Sequence, residues 1–341
     1  MSRYVVDASV ATMERLAVLF FAGGGLYFYG SLLSFSIGFL IGRLLGLAMC
    51  ARAYVSLGER LYLAFDYSMC LRLLKGGIPI GIRGLFKIIS FRIDAVMLGF
   101  FLPAAEVGWY GAAHKLLEAS LFFHDALGTA FQPTMSQYYG RGEPRTVADI
   151  GGRALKISLI VGGLSAAIGF SFSDAIVLMV FGPEYTQAAK ALKILVWAML
   201  AVFCSLSCVV LMDAVEFGRK TILPFVMAAV GNIVLNAVLI PRFGLLGASW
   251  STLITEVFLA YVLLHLLFTE GYSFPIQWIF GPLLACAVLT VTCLVFKWLN
   301  WPFVGVLIGI VLFFYMLVIL RVFDKVDLKS LQNRFSLTGR A

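Results

Sequence analysis

The sequence is poor in charge. Asp, Glu, Lys and Arg make up 13% of its 341 residues, whereas an average soluble domain has about 25%. The chain also lacks a long stretch of mixed polarity, which a soluble catalytic domain would need. Disordered chains combine low hydrophobicity with high charge, but 61% of this chain is hydrophobic. These properties exclude a soluble enzyme and a disordered protein.

Several motifs are missing as well. The absence of G-x-x-x-x-G-K-[ST] excludes ATP hydrolysis as a driving force, and the absence of a D-x-D-type acidic cluster argues against a membrane glycosyltransferase. The six cysteines lie mostly in apolar segments, with no histidine or acidic residue at ligand spacing, so we expect no disulfide framework, metal site or cofactor. The net charge of +8 is attributed to basic loops at a membrane, and no nucleic-acid partner is expected.

Long apolar runs fill almost the whole chain. They reach the roughly 20 residues that a bilayer-crossing helix needs, whereas barrel strands give alternating segments of about ten. We therefore predict an all-α polytopic membrane protein with about ten transmembrane helices, the first two separated by a turn at Gly30 and Ser31. The predicted spans are 13–31, 33–53, 77–101, 107–134, 153–181, 188–212, 220–240, 245–268, 275–297 and 301–321.

The distribution of basic residues predicts the orientation. Most Lys and Arg residues fall in segments on one side of this arrangement, and basic loops are retained in the cytoplasm. The opposite side has only Lys190, Lys193, Arg242 and Lys297. We therefore predict a protein of the cytoplasmic membrane with both termini cytoplasmic.

Three polar segments are assigned to the cytoplasmic side. Residues 57–75 are predicted to be a linker, with an interfacial helix whose apolar face holds Leu61, Phe65 and Met69. Residues 137–152 form a second polar stretch, in which Glu143, Pro144 and Thr146 are placed to begin a helix. Residues 323–341 are predicted to be a cytoplasmic tail.

The third predicted span carries four charged residues: Arg83, Lys87, Arg92 and Asp94. A charge at membrane depth costs about 2.5–3.5 kcal/mol on insertion scales, so such residues are candidates for function. Helical spacing puts Arg83, Lys87 and Asp94 on one face. We predict that at least two of the cations line a water-filled cavity for an anionic solute. The alternative is that Arg83 reaches the membrane surface and Arg92 pairs with Asp94 or a neighbouring helix.

The fourth span adds His114, Lys115 and Glu118. They lie at the outer mouth of the same cavity or, alternatively, Lys115 and Glu118 form a pair within one helix. Arg43 has no evident partner in the sequence and is predicted to face the cavity from the other side. Three further polar residues are interpreted as interhelical hydrogen-bond partners rather than a site: Asn232, Asn236 and Glu256.

Three blocks in the sequence resemble the polysaccharide (Wzx-type) flippases of the multidrug/oligosaccharidyl-lipid/polysaccharide exporter superfamily. They are FRIDAVMLGFFLPAAEVGWYGAAHKLLE, VFGPEYTQAAKALKIL and GNIVLNAVLIPRFGLLGASWSTLITE, in the family's order over residues 91–256. Five residues match motif positions of the family: Asp94, Lys115, Glu118, Asn236 and Gly247. The family has no fixed counterpart of Arg83, Lys87 and Arg92. Their assignment as binding residues rests only on the cost of placing a charge in the membrane.

The resemblance implies two helical lobes around a central cavity that opens alternately to each side. It implies a transporter, not an enzyme, whose partners are membrane lipids and an undecaprenyl-pyrophosphate-linked glycan needed for surface polysaccharide biosynthesis. A cationic cavity suits pyrophosphate, which is a strong anion. The coupling ion would be H+ or Na+. The candidate substrate-binding residues are Arg83, Lys87, Arg92, Asp94, Lys115 and Glu118.

The resemblance also predicts domain boundaries. Residues 1–56 correspond to the remnant of a first lobe with two helices, 76–270 to a complete second lobe with six, and 271–322 to a C-terminal helix hairpin. Family members usually have twelve to fourteen helices, with six before the block that contains Asp94. Since only two precede it here, we expect the chain to be N-terminally truncated or to need a partner for the first lobe. Translating the upstream DNA tests this expectation.

Three other functions remain open at this point. A multidrug cation antiporter of the same superfamily would favour buried carboxylates over cations, so the sign of the cavity's charge discriminates it from the flippase. An integral polymerase or ligase would need a large outside loop with catalytic residues, and no predicted outside loop exceeds about ten residues. The chain could also be a non-functional flippase fragment.

Overall fold

Ten long α-helices form most of the computed structural model, which describes residues 3–56 and 66–322. The helices are α1 (Arg3–Tyr29), α2 (Leu32–Ser56), α3 (Tyr67–Phe101), α4 (Ala104–Gly140), α5 (Pro144–Phe181), α6 (Ala188–Ala214), α7 (Ile222–Phe243), α8 (Leu245–Thr269), α9 (Gln277–Trp298) and α10 (Pro302–Ile319). No strand occurs in the described residues. The all-α class is confirmed.

Seven of these helices, α2 and α5 to α10, are long and apolar enough to cross a membrane by length and composition. Of the remaining three, α3 and α4 carry the charged residues identified above. The chain divides into two compact units, residues 1–72 and 73–341.

The first unit contains the hairpin of α1 and α2. Gly30 forms the turn with a φ of +61°, as predicted, because glycine adopts this left-handed conformation without steric cost. The two helices approach closely: a Cβ added at Gly38 would lie 2.2 Å from the carbonyl oxygen of Phe21. Arg43 forms an ion pair with Glu14. The prediction that Arg43 lacks a nearby partner is therefore wrong.

The boundaries of the polar segments differ from prediction. Helix α3 begins at Tyr67, so the second half of the expected linker 57–75 is helical. Asp66 precedes this helix and accepts hydrogen bonds from the Ser68 hydroxyl at 2.9 Å and the Met69 amide at 3.2 Å. These bonds cap the helix and lower the pKa of the Asp66 carboxyl.

The positions of Leu61 and Phe65, like the tail 323–341, lie outside the described residues. The second polar stretch is almost entirely helical, since only residues 141–143 separate α4 from α5. Helix α5 begins at Pro144, as predicted.

Helix α6 forms the core of the second unit. It packs against α4, α5 and α8, and 83% of the residues in its most apolar 18-residue stretch are buried. A helix that is apolar on all sides is expected in such a position. Helix α9 packs against α5 and α10, and α7 packs against α8.

Short connections make successive helices of the second unit antiparallel, so that the connections gather at two ends. At one end, Trp109 lies at the start of α4 and Glu184 lies in the connection that follows α5. The Trp109 indole N–H donates to the Glu184 carbonyl oxygen at 3.0 Å. Lys297 at the end of α9 lies 3.7 Å from Asp174 near the end of α5. The connections 141–143, 215–221 and 270–276 therefore lie at the opposite end.

The contact between α7 and α8 gives a testable prediction. A Cβ at Gly247 would lie 2.3 Å from the backbone oxygen of Leu239, so Gly247→Ala must push the two helices apart. Overpacking costs about 1–3 kcal/mol, against a helix-propensity gain of at most about 1 kcal/mol. We expect a lower Tm of the solubilised protein in a fluorescence-monitored thermal scan.

Gly231→Ala is the matched control. It makes the same chemical change in the same helix pair, but its Cβ would meet Thr255 at an ordinary 3.8 Å. Its Tm should stay the same or rise. Equal losses of Tm in both variants would contradict the proposed helix contact.

Candidate functional site

A buried carboxylate joins four helices of the second unit. Asp94 of α3 has no exposed surface and accepts three hydrogen bonds. The donors are the Tyr110 hydroxyl of α4 at 2.6 Å, the Asn236 amide of α7 at 2.5 Å and the Thr252 hydroxyl of α8 at 2.7 Å. All three donors are neutral, so none of them compensates a charge on the Asp94 carboxylate. We call these four residues the Asp94 cluster.

Polar residues behind the cluster fix the Asn236 side chain. Its amide also donates to the Asn232 side-chain oxygen at 3.0 Å, and the Asn232 amide lies 3.4 Å from the Thr255 hydroxyl. The prediction that Asn232 and Asn236 are interhelical hydrogen-bond partners is confirmed. The remaining oxygen of Asn236, Oδ1, is buried and has no partner in the described residues. Such an oxygen can accept a further donor or contribute to a cation site.

A second group of charges surrounds Glu118 of α4. Its carboxylate lies 3.0 Å from Arg92 of α3, 2.6 Å from Lys115 and 3.4 Å from His114. The predicted pair of Lys115 and Glu118 within one helix is therefore present. Arg92 pairs with this glutamate and not with Asp94. The Arg92 and Lys115 side chains remain 60% and 64% exposed, so both can still contact a ligand.

Arg83 is bound to another part of the unit. Its guanidinium donates to both carboxylate oxygens of Asp213, at 2.6 and 2.8 Å, and lies 3.3 Å from the Thr221 hydroxyl. Eleven residues separate it from Asp94, or about 16 Å along a helix. Although the two residues share a helix face, the structure does not bring them together. The charge of Arg83 is largely neutralised by Asp213.

Lys87 lies between these groups and is half-buried. Among the described residues it has no carboxylate within ion-pair distance, although Asp125 and Glu256 act on it electrostatically. A cavity of about 20 Å³, large enough for one water molecule, lies between α3, α4, α6 and α8. Its lining includes Ser90, Phe91, His114, Thr252 and Glu256. Because Thr252 belongs to the Asp94 cluster and lines this cavity together with Glu256, the buried Glu256 lies beside the cluster.

Sequence reasoning did not single out Tyr110, Thr252 or Asp213. Tyr110 and Thr252 lie within the blocks that resemble the flippase family, so the blocks held a signal that charge alone does not give. Asp213 lies 130 residues from Arg83, and no local pattern indicates that pair.

Comparisons with known proteins agree with this architecture. The MatE family model matches residues 79–241, and the model of the polysaccharide biosynthesis protein family matches residues 1–139. Two curated relatives come from Haloferax volcanii. The probable low-salt glycan biosynthesis flippase Agl15 is 28% identical over 47% of this chain and 34% of its own length. The probable flippase AglR is 26% identical over 48% and 35%.

Two solved structures share the fold. The lipid II flippase MurJ, in an inward closed conformation, aligns with a TM-score of 0.69 at 17% identity, over 91% of this chain and 66% of that one. A MOP superfamily transporter from Pyrococcus furiosus aligns with a TM-score of 0.52 at 15% identity, over 65% of this chain and 53% of that one. The matched segment spans about a third of each of the two curated relatives.

The contact between Arg83 and Asp213 can be tested by a double-mutant cycle. Their side chains are only 13% and 24% exposed, so Arg83→Gln and Asp213→Asn should each lower Tm by leaving one charge without its partner. The free energy of unfolding should fall less in the double variant than the two single losses added together. The difference, which is the coupling energy of the two side chains, should be about 0.5–3 kcal/mol.

The pair of Lys193 and Asp174 serves as the control, because its side chains are 37% and 57% exposed. Exposed pairs contribute about 0–1 kcal/mol, so its cycle should give a smaller coupling. Additive effects of Arg83→Gln and Asp213→Asn would show that the two side chains do not interact.

Proposed function

We propose that this chain is a member of the multidrug/oligosaccharidyl-lipid/polysaccharide exporter superfamily and that it flips a lipid-linked oligosaccharide across the cytoplasmic membrane. The names of both Haloferax volcanii relatives support this proposal. They describe transport and not catalysis. The orientation that we propose, with both termini cytoplasmic, rests on the distribution of basic residues.

The observation that carries the proposal is the excess of positive charge on the exposed face of α3 and α4. Arg92 and Lys115 are largely exposed there, and Glu118 is the carboxylate paired with both. Lys87 lies five residues before Arg92 and is half-buried, on the face of α3 that also holds Asp94. Such a surface attracts a pyrophosphate group, since charge-assisted hydrogen bonds from Arg and Lys are stronger than neutral ones. We propose that Lys87, Arg92 and Lys115 contact the phosphates during alternating access.

Arg83 and Asp94 receive other roles in this proposal. Arg83 holds the connection between α6 and α7 through Asp213 and Thr221. Asp94 lies too deep to meet a substrate directly. We propose instead that Asp94 binds the coupling ion.

The Asp94 cluster suits a small monovalent cation. Na+ prefers oxygen ligands, as hard cations do, and the cluster offers the Asp94 carboxylate, the Thr252 hydroxyl and the unpartnered Oδ1 of Asn236. A bound Na+ would neutralise Asp94 and give the amide oxygen a partner. A proton would also neutralise the carboxylate but would leave that oxygen unsatisfied, so we favour Na+ as the coupling ion.

A second candidate function is multidrug cation export, which the MatE match favours. The two functions make opposite demands on the cationic face. Replacing Lys87 and Arg92 by Ala should abolish flipping of an anionic lipid, because each lost contact to phosphate weakens binding, and should spare export of cations. Complementation of a flippase-deficient strain, with export of a cationic dye measured in parallel, distinguishes them.

Lys190→Ala is the control for this experiment, since Lys190 is an exposed lysine of α6 outside the proposed site. It should complement as well as the parent chain at equal membrane abundance. Full complementation by Lys87→Ala/Arg92→Ala would refute the role of these cations. Dye export by both the parent chain and the double variant, without complementation by the parent chain, would favour the exporter.

The coupling-ion proposal predicts ion-specific stabilisation. Replacing KCl by NaCl at constant ionic strength should raise Tm, because a ligand that binds the folded state stabilises it, by about 2.7 kcal/mol at 100 times its Kd. Asp94→Asn should abolish the rise, whereas Asp174→Asn, at an exposed carboxylate, should preserve it. If Tm responds to pH and not to Na+, and Asp94→Asn reduces this pH response, the coupling ion is a proton. No response of Tm to either ion would refute the coupling role of Asp94.

A further inference from the structure

A second cavity lies at the end of the second unit where α5 begins. Its volume is about 640 Å³, within the roughly 300–1,000 Å³ of typical small-molecule sites. Its lining comes from the start of α5, the connection after α6 and the segment between α8 and α9, and includes Arg145, Asp149, Phe217, Glu270, Tyr272 and Trp278. We call it the α5 cavity. None of its lining residues belongs to α3 or α4, so it is separate from the proposed transport site.

The start of α5 favours an anion at this cavity. Backbone N–H groups in the first turn of a helix lack partners within the helix, and the helix dipole adds positive potential there. α5 is 38 residues long and begins with Pro144. Arg145, in its first turn, is exposed and has no ion pair among the described residues. An arginine beside a helix N-terminus is well suited to phosphate, which it can bind with two hydrogen bonds.

Trp278 provides a second and independent indication of a ligand. It lines the α5 cavity, only 3% of its surface is exposed, and its indole N–H has no acceptor in the described residues. Buried donors are normally satisfied, so an indole N–H without an acceptor in the wall of a cavity is a candidate donor to an oxygen of a ligand. The ring itself is held by Lys156, whose Nζ lies 4.5 Å from its centroid.

The carboxylates of the α5 cavity do not cancel its positive charge. Asp149 lies 3.0 Å from Arg153, and Glu270 lies 2.5 Å from Lys220. Each acid therefore already has a cation, which leaves Arg145 available to an anion. Their free oxygens can still accept hydrogen bonds from hydroxyl groups. Phe217, Tyr272 and Trp278 add flat apolar surface to the same lining, which can pack against a ring.

We propose that the α5 cavity binds a phosphate group carried on a sugar, polyol or nucleoside ring. The phosphate contacts Arg145, the first turn of α5 and the Trp278 N–H, and the ring packs between the aromatic side chains with its hydroxyls on Asp149 and Glu270. This ligand site goes beyond the proposed flipping activity and does not depend on it. A ligand there joins α5 to the segment between α8 and α9, which makes the site suited to regulation.

The ligand could come from the cytosol or from a lipid headgroup, and the test has an arm for each source. In the first, uridine diphosphate and glucose 1-phosphate are titrated onto the purified full chain by calorimetry. In the second, binding of short-chain phosphatidylinositol is compared with that of short-chain phosphatidylcholine. Saturable binding in either arm supports the proposal and identifies the source. Absence of binding in both arms overturns it.

Substitutions in the lining then test where the ligand binds. Arg145→Gln should weaken binding of whichever probe binds the parent chain by about tenfold or more, as expected when a charged hydrogen bond is lost. Trp278→Phe, which keeps a ring but removes the N–H, should also weaken it. Arg141→Gln is the matched control, since Arg141 lies at the same end of the unit, stacked over Tyr138 and outside the lining. Unchanged affinity in Arg145→Gln, or an equal loss in Arg141→Gln, overturns the assignment even if flipping is intact.

Discussion

The hydrogen bonds to Asp94 are the interaction on which the packing of helix α3 against the rest of the second unit depends most. Among the residues of α3 whose side chains are described, only Asp94 and Leu98 are buried. Helix α3 therefore has little apolar contact and relies on polar anchors, of which the Asp94 cluster is the deepest and the Arg83 contact to Asp213 the second. Polar anchors of this kind respond to charge, because neutralising Asp94 changes every bond that it accepts. An ion at Asp94 can thus alter how α3 is held, and Lys87 and Arg92 move with that helix.

The fold could be predicted largely from the sequence because helices in a bilayer must be long, apolar and internally hydrogen-bonded. The turn at Gly30 and the start of α5 at Pro144 are examples of local chemistry deciding a boundary. The helix ends were harder to predict, since α3 and α4 extend beyond their apolar runs. Residues 67–75 include the good helix formers Leu, Met, Arg and Lys, but their charges place them outside the apolar run from which the span was predicted.

The candidate site was predictable only in part. The cost of a charge in a membrane singled out Arg83, Lys87, Arg92 and Asp94 without any structure. It did not identify their partners, since Arg92 can reach a glutamate on α4 as easily as the aspartate two residues away. Interhelical packing decides between such partners, and packing involves residues that are distant in sequence. The α5 cavity has the same origin, because its lining is assembled from segments that are distant in sequence: the start of α5, the connection after α6 and the region between α8 and α9.

We propose that this chain moves a lipid-linked oligosaccharide from one leaflet to the other. The most direct measurement is accessibility of a fluorescent lipid-linked oligosaccharide to a membrane-impermeant quencher in proteoliposomes that contain the purified chain. The account predicts that the quenched fraction rises above that of protein-free liposomes and that an inward Na+ gradient changes the rate. A quenched fraction equal to that of protein-free liposomes, with the chain folded and inserted, would contradict it.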